Sequence, residues 1–300
     1  HALRVLLSSG RQARAILRDF RPDLVVGTGG YASYPMVKYA AKEGIPTAVH
    51  ESNMVPGLTT KMLEGYAGCI MVGFEECRQH YKHPEKIVVT GTPVRGDFFR
   101  QTREQARQKL GLTDDRPLAV SFWGSLGARF MNEHMLDFFR LEARDGMPFH
   151  HIHAAGKGSW DTMRQTLEME QLTKTPGLDV REYIYDMADV MRAADLVICR
   201  AGASTVSELT ALAVPAVIVP SPYVTNNHQE KNARILEKHH RRSPLPGRRR
   251  DPPLPGTAPQ HERRHGGTGY PRRHGAHLSD RHGPAEVTPH IVPCIGWRKR

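Results

Sequence analysis

Six short segments of this 300-residue chain gather the residue types that bind phosphates, hydroxyls and amides. They are GTGGY (27–31), HESN (50–53), GTPVRGD (91–97), WGSLGAR (123–129), RAGASTVSE (200–208) and PSPYVTNNHQEKN (220–232). Gly124, Ser125 and Gly127 bring backbone N–H groups to the start of a helix, where an anion such as a diphosphate is favoured. Glu208 has two readings. It can accept hydrogen bonds from a ribose diol, as acidic residues do in dinucleotide folds, or it can close a capping box with Ser204 or Thr205. Bland readings stand beside the others too: Asn53 as the cap of a helix after residue 57, Arg95 as a surface charge, and GTGGY as a tight turn that needs glycine anyway. His151 and His153 share one strand face, but no carboxylate or thiol lies nearby at ligand spacing. They read as strand histidines, and no metal site is expected.

Each loop follows an apolar, β-branched run. The runs are 3–7, 23–28, 46–51, 69–74, 86–91, 118–124, 149–156, 180–185, 196–200 and 215–220. Helical periodicity falls at 10–20, 35–43, 57–66, 102–110, 131–144, 160–172, 187–194, 205–213 and 228–238. Near-continuous apolar strands alternating with helices predict parallel sheets covered on both faces, with right-handed crossovers. About ten strands exceed what one such sheet usually holds. Residues 92–101 show no regular signal, so we expect an α/β protein of two Rossmann-like domains, 1–98 and 99–238. Ligands then bind at the carboxyl ends of the strands, where the six polar loops lie.

The charge is uneven. The net is +11, but residues 239–300 carry 13 Lys and Arg against 4 acids, leaving 29 against 27 for residues 1–238. The first 238 residues therefore make no electrostatic case for a polyanion, and no nucleic-acid partner is expected. The tail holds 10 of the 22 prolines and 8 of the 17 histidines. It cannot bury enough apolar surface to offset its ordering entropy and reads as disordered. Two origins fit it: a basic arm, or an out-of-frame reading of GC-rich coding DNA. No apolar run approaches the roughly 18–20 residues of a membrane-spanning helix. The chain opens at His1 without a charged-then-apolar leader, and its four cysteines form no CxxC pair, so a reducing cytoplasm is the default.

In order and spacing, PDLVVGTGGYASYP, GIPTAVHESNMVPGLTTKML, VTGTPVRGD, GSLGAR and YIYDMADVMRAADLVICRAGASTVSELTALAVPAVIVPSPYVTNNHQEKNA resemble the MurG-type N-acetylglucosaminyltransferases of peptidoglycan synthesis. The resemblance spans nearly all of residues 1–238. It implies the GT-B fold, in which two Rossmann-like domains face each other across a cleft, and inverting transfer of GlcNAc from UDP-GlcNAc to undecaprenyl-diphospho-N-acetylmuramoyl-pentapeptide. It also implies peripheral attachment to the cytoplasmic face of the plasma membrane and no bound cofactor. By position, Ser125 and its glycines would touch the UDP diphosphate, and Arg95 would lie near the donor phosphates. Asn53 would bond the GlcNAc or help place the acceptor, and Ile184 would pack at the uracil with its backbone available to the base. Ala203, Ser204 and Thr205 would line the diphosphate and sugar, Glu208 would take the ribose hydroxyls, and Gln229, with His228 beside it, would bind GlcNAc hydroxyls. Gly29, Gly30 and Tyr31 would form the acceptor-side surface.

The family's N-terminal Gly-rich loop with its histidine has no counterpart after His1, so the catalytic base is unassigned and the N-terminal domain is expected to be incomplete. The family's C-terminal helices give way to the Arg/Pro/His tail. Trp123, Leu126, Tyr34 and Thr92 also depart from the family pattern. The alternatives are another GT-B glycolipid glycosyltransferase or UDP-GlcNAc epimerase, a non-catalytic protein binding through its basic tail, and an inactive fragment retaining only UDP binding.

Overall fold

The computed structural model describes residues 2–125, 127–221, 224, 227–242 and 291–292. Helix α1 (Ala2–Phe20) packs on α2 (Gly30–Lys42). Strands β1 (Val25–Gly27), β2 (Thr47–Glu51), β3 (Cys69–Val72) and β4 (Ile87–Val89) form a sheet in that order, every pair parallel. Helix α3 (Leu58–Leu63) follows β2. A 3₁₀ turn (Gly96–Phe99) and α4 (Arg103–Lys109) lead to the second sheet. Its strands are β5 (Leu118–Phe122), β6 (His150–Ala154), β7 (Leu178–Arg181), β8 (Leu196–Cys199), β9 (Ala216–Ile218) and β10 (Ile291–Val292). The spatial order is β10-β9-β8-β5-β6-β7, again all parallel. Helices α5 (Arg129–Arg144), α6 (Trp160–Met169), α7 (Met187–Ala193), α8 (Ala203–Leu212) and α9 (His228–Arg242) connect or follow these strands.

The second sheet is doubly wound. Its chain path starts at β5, runs outward through β6 and β7, then returns to β8 on the other side of β5. The switch point lies between β5 and β8, where such sheets open a crevice at the strand ends. Separate apolar clusters support the sheets. Val37, Val49, Leu63, Ile70, Val72 and Ile87 fill the first, while clusters around Leu118, Val197 and Ile218 and around Trp123, Phe139 and Leu167 fill the second. Phe98, which a boundary after residue 98 leaves with the first unit, is fully buried in the second unit's core.

Several expectations change. The run at 3–7 is the opening of α1, not a strand. Five apolar residues fit either form, and the continuation decides: Gly10, Ala13 and Leu17 are spaced three or four apart, and Ala13 and Leu17 are each 2% exposed. Helix α2 begins at Gly30 instead of residue 35, so it runs through Pro35 and gives up one i→i−4 hydrogen bond there. Strand β7 ends at Arg181, which places Tyr183, Ile184 and Tyr185 beyond it rather than in a strand over 180–185. Helix α8 starts at Ala203 with Gly202 as its N-cap and no side-chain cap bond, so Ser204, Thr205 and Glu208 form no capping box. Of the segment read as a disordered tail, α9 continues to Arg242, and Ile291–Val292 pair with Ala216–Val217 as an added parallel strand. The rest of that segment lies outside the described residues.

Candidate functional site

A cavity of about 250 Å³ opens at the switch point of the second sheet, lined by Trp123, Gly124, Ser125, Gly127, Arg200, Gly202, Thr205 and Gln229, with Phe122 behind them. Three elements deliver these groups. The loop after β5 turns tightly, with Gly127 N donating to Gly124 O at 3.0 Å and both glycines at positive φ (75° and 87°). The loop after β8 ends in α8, whose first turn presents Ala203, Ser204 and Thr205 and whose unpaired N–H groups favour an anion. Helix α9 supplies Gln229, only 9% exposed, whose Oε1 accepts from Ser221 N at 2.8 Å and leaves its NH₂ as the group for a ligand.

Arg200 was not singled out from the sequence. It is half-buried, and no ion pair involving it occurs among the described residues; burial alone lowers its pKa. A half-buried cation lining a cavity favours an anionic ligand, because the anion would offset the desolvation of the guanidinium. Its signal in the sequence was its place as the first residue after β8.

Glu208 lies one turn further along α8. Burial pushes its carboxyl up, the Arg95 charge opposes that shift, and Asp97 adds to it. Arg95 is 3.6 Å from Asp97 and lies over the Phe98 ring, 5.2 Å from its centroid. Arg95 therefore acts electrostatically on Glu208 from the connection between the two units.

Asn53 does not line the cavity. Its backbone N–H and its side-chain Nδ2 both donate to Glu51 Oε1, at 3.0 and 3.2 Å. Its Oδ1 accepts from Asn232 Nδ2 at 3.3 Å, and Asn232 Oδ1 accepts from Met54 N at 3.1 Å. Asn232 is fully buried and also donates to Ala201 O at 3.2 Å. Asn232 sits three residues after Gln229 on α9, so one helix reaches both the cavity and the first unit's HESN loop.

Other expected residues lie apart from the cavity. The Ile184 side chain is 2% exposed in the apolar core, so any contact with a base runs through its backbone. Tyr183 and Tyr185 flank it as an exposed pair with ring centroids 5.0 Å apart. Gly29 and Gly30 sit at positive φ at the start of α2 with open space around them, and Tyr31 is 91% exposed. They form a surface of the first unit. His228 is half-buried on α9.

The histidines do find a carboxylate, which is a correction. Glu142, nine residues earlier on α5, meets His151 Nδ1 at 2.8 Å because α5 packs over β6. No three-residue group suited to a metal ion occurs among the described residues.

Two parallel α/β units, the second with a cavity at its switch point, define a GT-B architecture. The model of the glycosyltransferase family 28 N-terminal domain matches residues 2–72 and that of the C-terminal domain matches residues 120–244, and the chain belongs to this family. A UDP-N-acetylglucosamine--N-acetylmuramyl-(pentapeptide) pyrophosphoryl-undecaprenol N-acetylglucosamine transferase of Acetivibrio thermocellus is 44% identical over 237 residues, covering 79% of this chain and 63% of the relative. A transferase of the same name from Listeria monocytogenes is 42% identical, covering 78% and 63%. The chain thus spans just under two thirds of these relatives' lengths. The crystal structure of Acinetobacter baumannii MurG superposes with a TM-score of 0.58 at 28% identity, covering 80% of this chain and 64% of that one. A UDP-GlcNAc 2-epimerase from Neisseria meningitidis shares the fold, with a TM-score of 0.55 at 13% identity over 78% and 68% of the two chains.

Proposed function

We propose that this chain takes part in inverting transfer of GlcNAc from UDP-GlcNAc to undecaprenyl-diphospho-N-acetylmuramoyl-pentapeptide, the lipid I to lipid II step of peptidoglycan synthesis. The observation that carries the reading is the switch-point cavity, which gathers Ser125, Thr205, Gln229 and Arg200, without an ion-pair partner among the described residues, in a family 28 chain. The Gly124–Gly127 turn, the N-terminus of α8, Arg200 and Arg95 supply positive potential where the leaving diphosphate gains charge, and preorganised donors of this kind are the largest common source of rate enhancement. Gln229 holds a sugar hydroxyl through its NH₂. Glu208 takes the ribose hydroxyls, and the backbone at Ile184 meets the uracil. Asn53 stands on the acceptor side of the cleft with Gly29, Gly30 and Tyr31, and the proton acceptor for the incoming hydroxyl is unassigned.

Membrane contact is part of the proposal. Leu58 (68% exposed) and Met62 (49% exposed) lie one turn apart on α3 with Lys61 beside them, a pairing suited to an anionic membrane surface. Among the described residues no helix is long and apolar enough to cross a membrane. The surface proposed is the cytoplasmic face, where a nucleotide sugar is available.

The test is to mix the chain with radiolabelled UDP-GlcNAc and the lipid-linked muramoyl-pentapeptide and to follow label into the lipid fraction. Label in a GlcNAc–MurNAc lipid supports the reading. Tight UDP binding with no transfer to this acceptor, but transfer to a different glycolipid, overturns it in favour of another GT-B enzyme.

A pH dependence follows from Glu208. As a carboxylate it accepts from both ribose hydroxyls, and protonation turns one oxygen into a donor. Its pKa is raised, so UDP affinity should weaken as pH falls, starting above the ordinary glutamate value of about 4.3. Arg95→Ala removes the opposing charge and should move this weakening to still higher pH. Calorimetric UDP affinities at several pH values, in both proteins, check it; superimposable profiles would remove Glu208 from the ribose site.

A further inference from the structure

One buried set of polar side chains has no part in the reaction described above. Helix α5 turns a single stripe inward: Asn132, Met135, Phe139 and Glu142. The polar ends of this stripe close a chain of hydrogen bonds under the sheet. Glu142 Oε1 meets His151 Nδ1 at 2.8 Å, and His151 Nε2 meets Ser121 Oγ at 2.8 Å. Ser121 Oγ meets His153 Nδ1 at 2.6 Å, and His153 Nε2 meets Asn132 Oδ1 at 3.2 Å. Asn132 Nδ2 then donates to Ala155 O at 2.7 Å. Ser121, His151 and His153 are fully buried, and Asn132 and Glu142 are 3% and 4% exposed. No substrate reaches them, so this is not a catalytic triad.

The direction of the bonds from His151 to Ala155 follows from the last member. A backbone carbonyl only accepts, so Asn132 must turn its NH₂ to Ala155 and its oxygen to His153. His153 therefore donates from Nε2 and, as a neutral ring, accepts at Nδ1. Ser121 donates to His153 and must accept from His151 Nε2–H. His151 is left facing Glu142 with Nδ1, either as an imidazolium beside a carboxylate or as the neutral ring accepting from a protonated Glu142. A neutral His153 agrees with its surroundings, since burial and the neighbouring His151 push its pKa down to about 3.

The end of the relay touches the cavity. A Cβ at Gly127 would stand 2.1 Å from Ala155 O. The neighbouring Lys157 N donates to Ser125 O at 3.4 Å. The carbonyl that Asn132 holds is thus the surface against which the Gly124–Gly127 turn rests.

We propose that His151, Ser121, His153 and Asn132, anchored at Glu142, form a hydrogen-bond relay, one-way from His151 onward, whose role is to position the Gly124–Gly127 turn for the diphosphate, through the Ala155 carbonyl. The relay's members are positioning residues, and the inference rests on the reading of this cavity as the UDP site. Asn132→Asp keeps the shape but replaces the donor to Ala155 with an oxygen. Ser121→Ala cuts the relay in the middle, and Ser121→Thr keeps the hydroxyl. Met135→Ala, on the same helix stripe, is the control for lost packing alone.

The experiment measures UDP binding to the full chain by calorimetry, with imidazole ¹⁵N NMR on the same samples. Wild type should show His153 as the neutral Nε2–H tautomer. Asn132→Asp and Ser121→Ala should weaken UDP binding by about fivefold or more, the range expected for an orphaned buried partner. Ser121→Thr should restore binding, and Met135→Ala should lower Tm without changing UDP affinity. Unchanged affinity in folded Asn132→Asp and Ser121→Ala would overturn the proposal, as would His153 in the Nδ1–H form. If the wild-type chain binds no UDP, the donor-site reading itself falls and takes the positioning role with it. The NMR result separates that failure from an error in the relay, because it reads the hydrogen bonds without any ligand.

Discussion

Gly127→Ala should destabilise the second unit by about 2–5 kcal/mol and abolish measurable UDP binding, whereas Gly124→Ala should cost only about 1–2 kcal/mol. Both glycines sit at positive φ, so both substitutions carry the left-handed backbone penalty of about 1–2 kcal/mol. Only Gly127 adds a collision. Its Cβ would meet Ala155 O at 2.1 Å and Gly156 Cα at 3.2 Å, while a Cβ at Gly124 meets nothing within 4 Å. Overpacking of this kind typically costs about 1–3 kcal/mol. The partner cannot move aside freely, because the Ala155 carbonyl is held by Asn132 and its N–H donates to Arg181 O at 3.0 Å. The turn itself must shift, and Ser125 shifts with it. For a unit of this size about 2–4 °C of Tm accompanies each kcal/mol. Thermal denaturation of both variants, with and without UDP, reads the difference. Equal Tm losses in the two glycine variants would show that the contact with Ala155 carries no weight.

Much of the second unit was legible because period and punctuation agree there. Apolar runs at 118–122, 196–199 and 216–218 are each followed within three residues by Gly or Pro, and parallel strands covered on both faces read that way. The switch-point rule then brings Ser125, Thr205 and Gln229 to one place from loops that are far apart in sequence. Local pattern failed where tertiary context decides. At 180–185 the alternation of aromatic and β-branched residues imitates a strand, yet β7 ends at Arg181 and Ile184 belongs to the core beside α7. At 3–7 a short apolar run has no intrinsic period, and the contact of α1 with α2 settles it. Arg200 was not legible because its significance is its half-burial without an ion-pair partner among the described residues, which only packing reveals. The Glu142–His151 pair and the Asn53–Asn232 pair were out of reach for the same reason. Each joins residues on different elements, the second across 179 positions.

Glu51→Ala should be the most damaging single change in the first unit. The Glu51 carboxylate is 6% exposed, and no salt bridge to it occurs among the described residues. Hydrogen bonds stabilise it instead. Oε1 accepts from Asn53 N and Nδ2, and Oε2 accepts from Gly57 N at 2.9 Å and from Thr60 Oγ1 at 2.6 Å. One side chain thus folds the 51–60 loop around itself and sets the start of α3. Removing it leaves several partly or fully buried donors without an acceptor, and bonds to a charged group contribute about 1.5–3 kcal/mol each. The losses are not independent, so the expected destabilisation is about 3–5 kcal/mol, less than the sum of the separate bonds. Glu51→Gln should fall between: one oxygen still accepts, but its NH₂ faces donors. The loop also carries the inter-unit contact, since Asn53 and Met54 are the groups that Asn232 holds. Loosening it should therefore weaken acceptor use more than UDP binding, because the cavity residues Ser125, Thr205 and Gln229 all belong to the second unit. Denaturant midpoints for Glu51→Ala and Glu51→Gln, together with UDP affinity and acceptor KM, separate these effects. A Glu51→Ala midpoint equal to wild type would mean that water replaces the carboxylate and that the loop is held by its other contacts. A loss of UDP affinity as large as the loss of acceptor use would instead mean that Asn232 transmits the damage along α9 to Gln229.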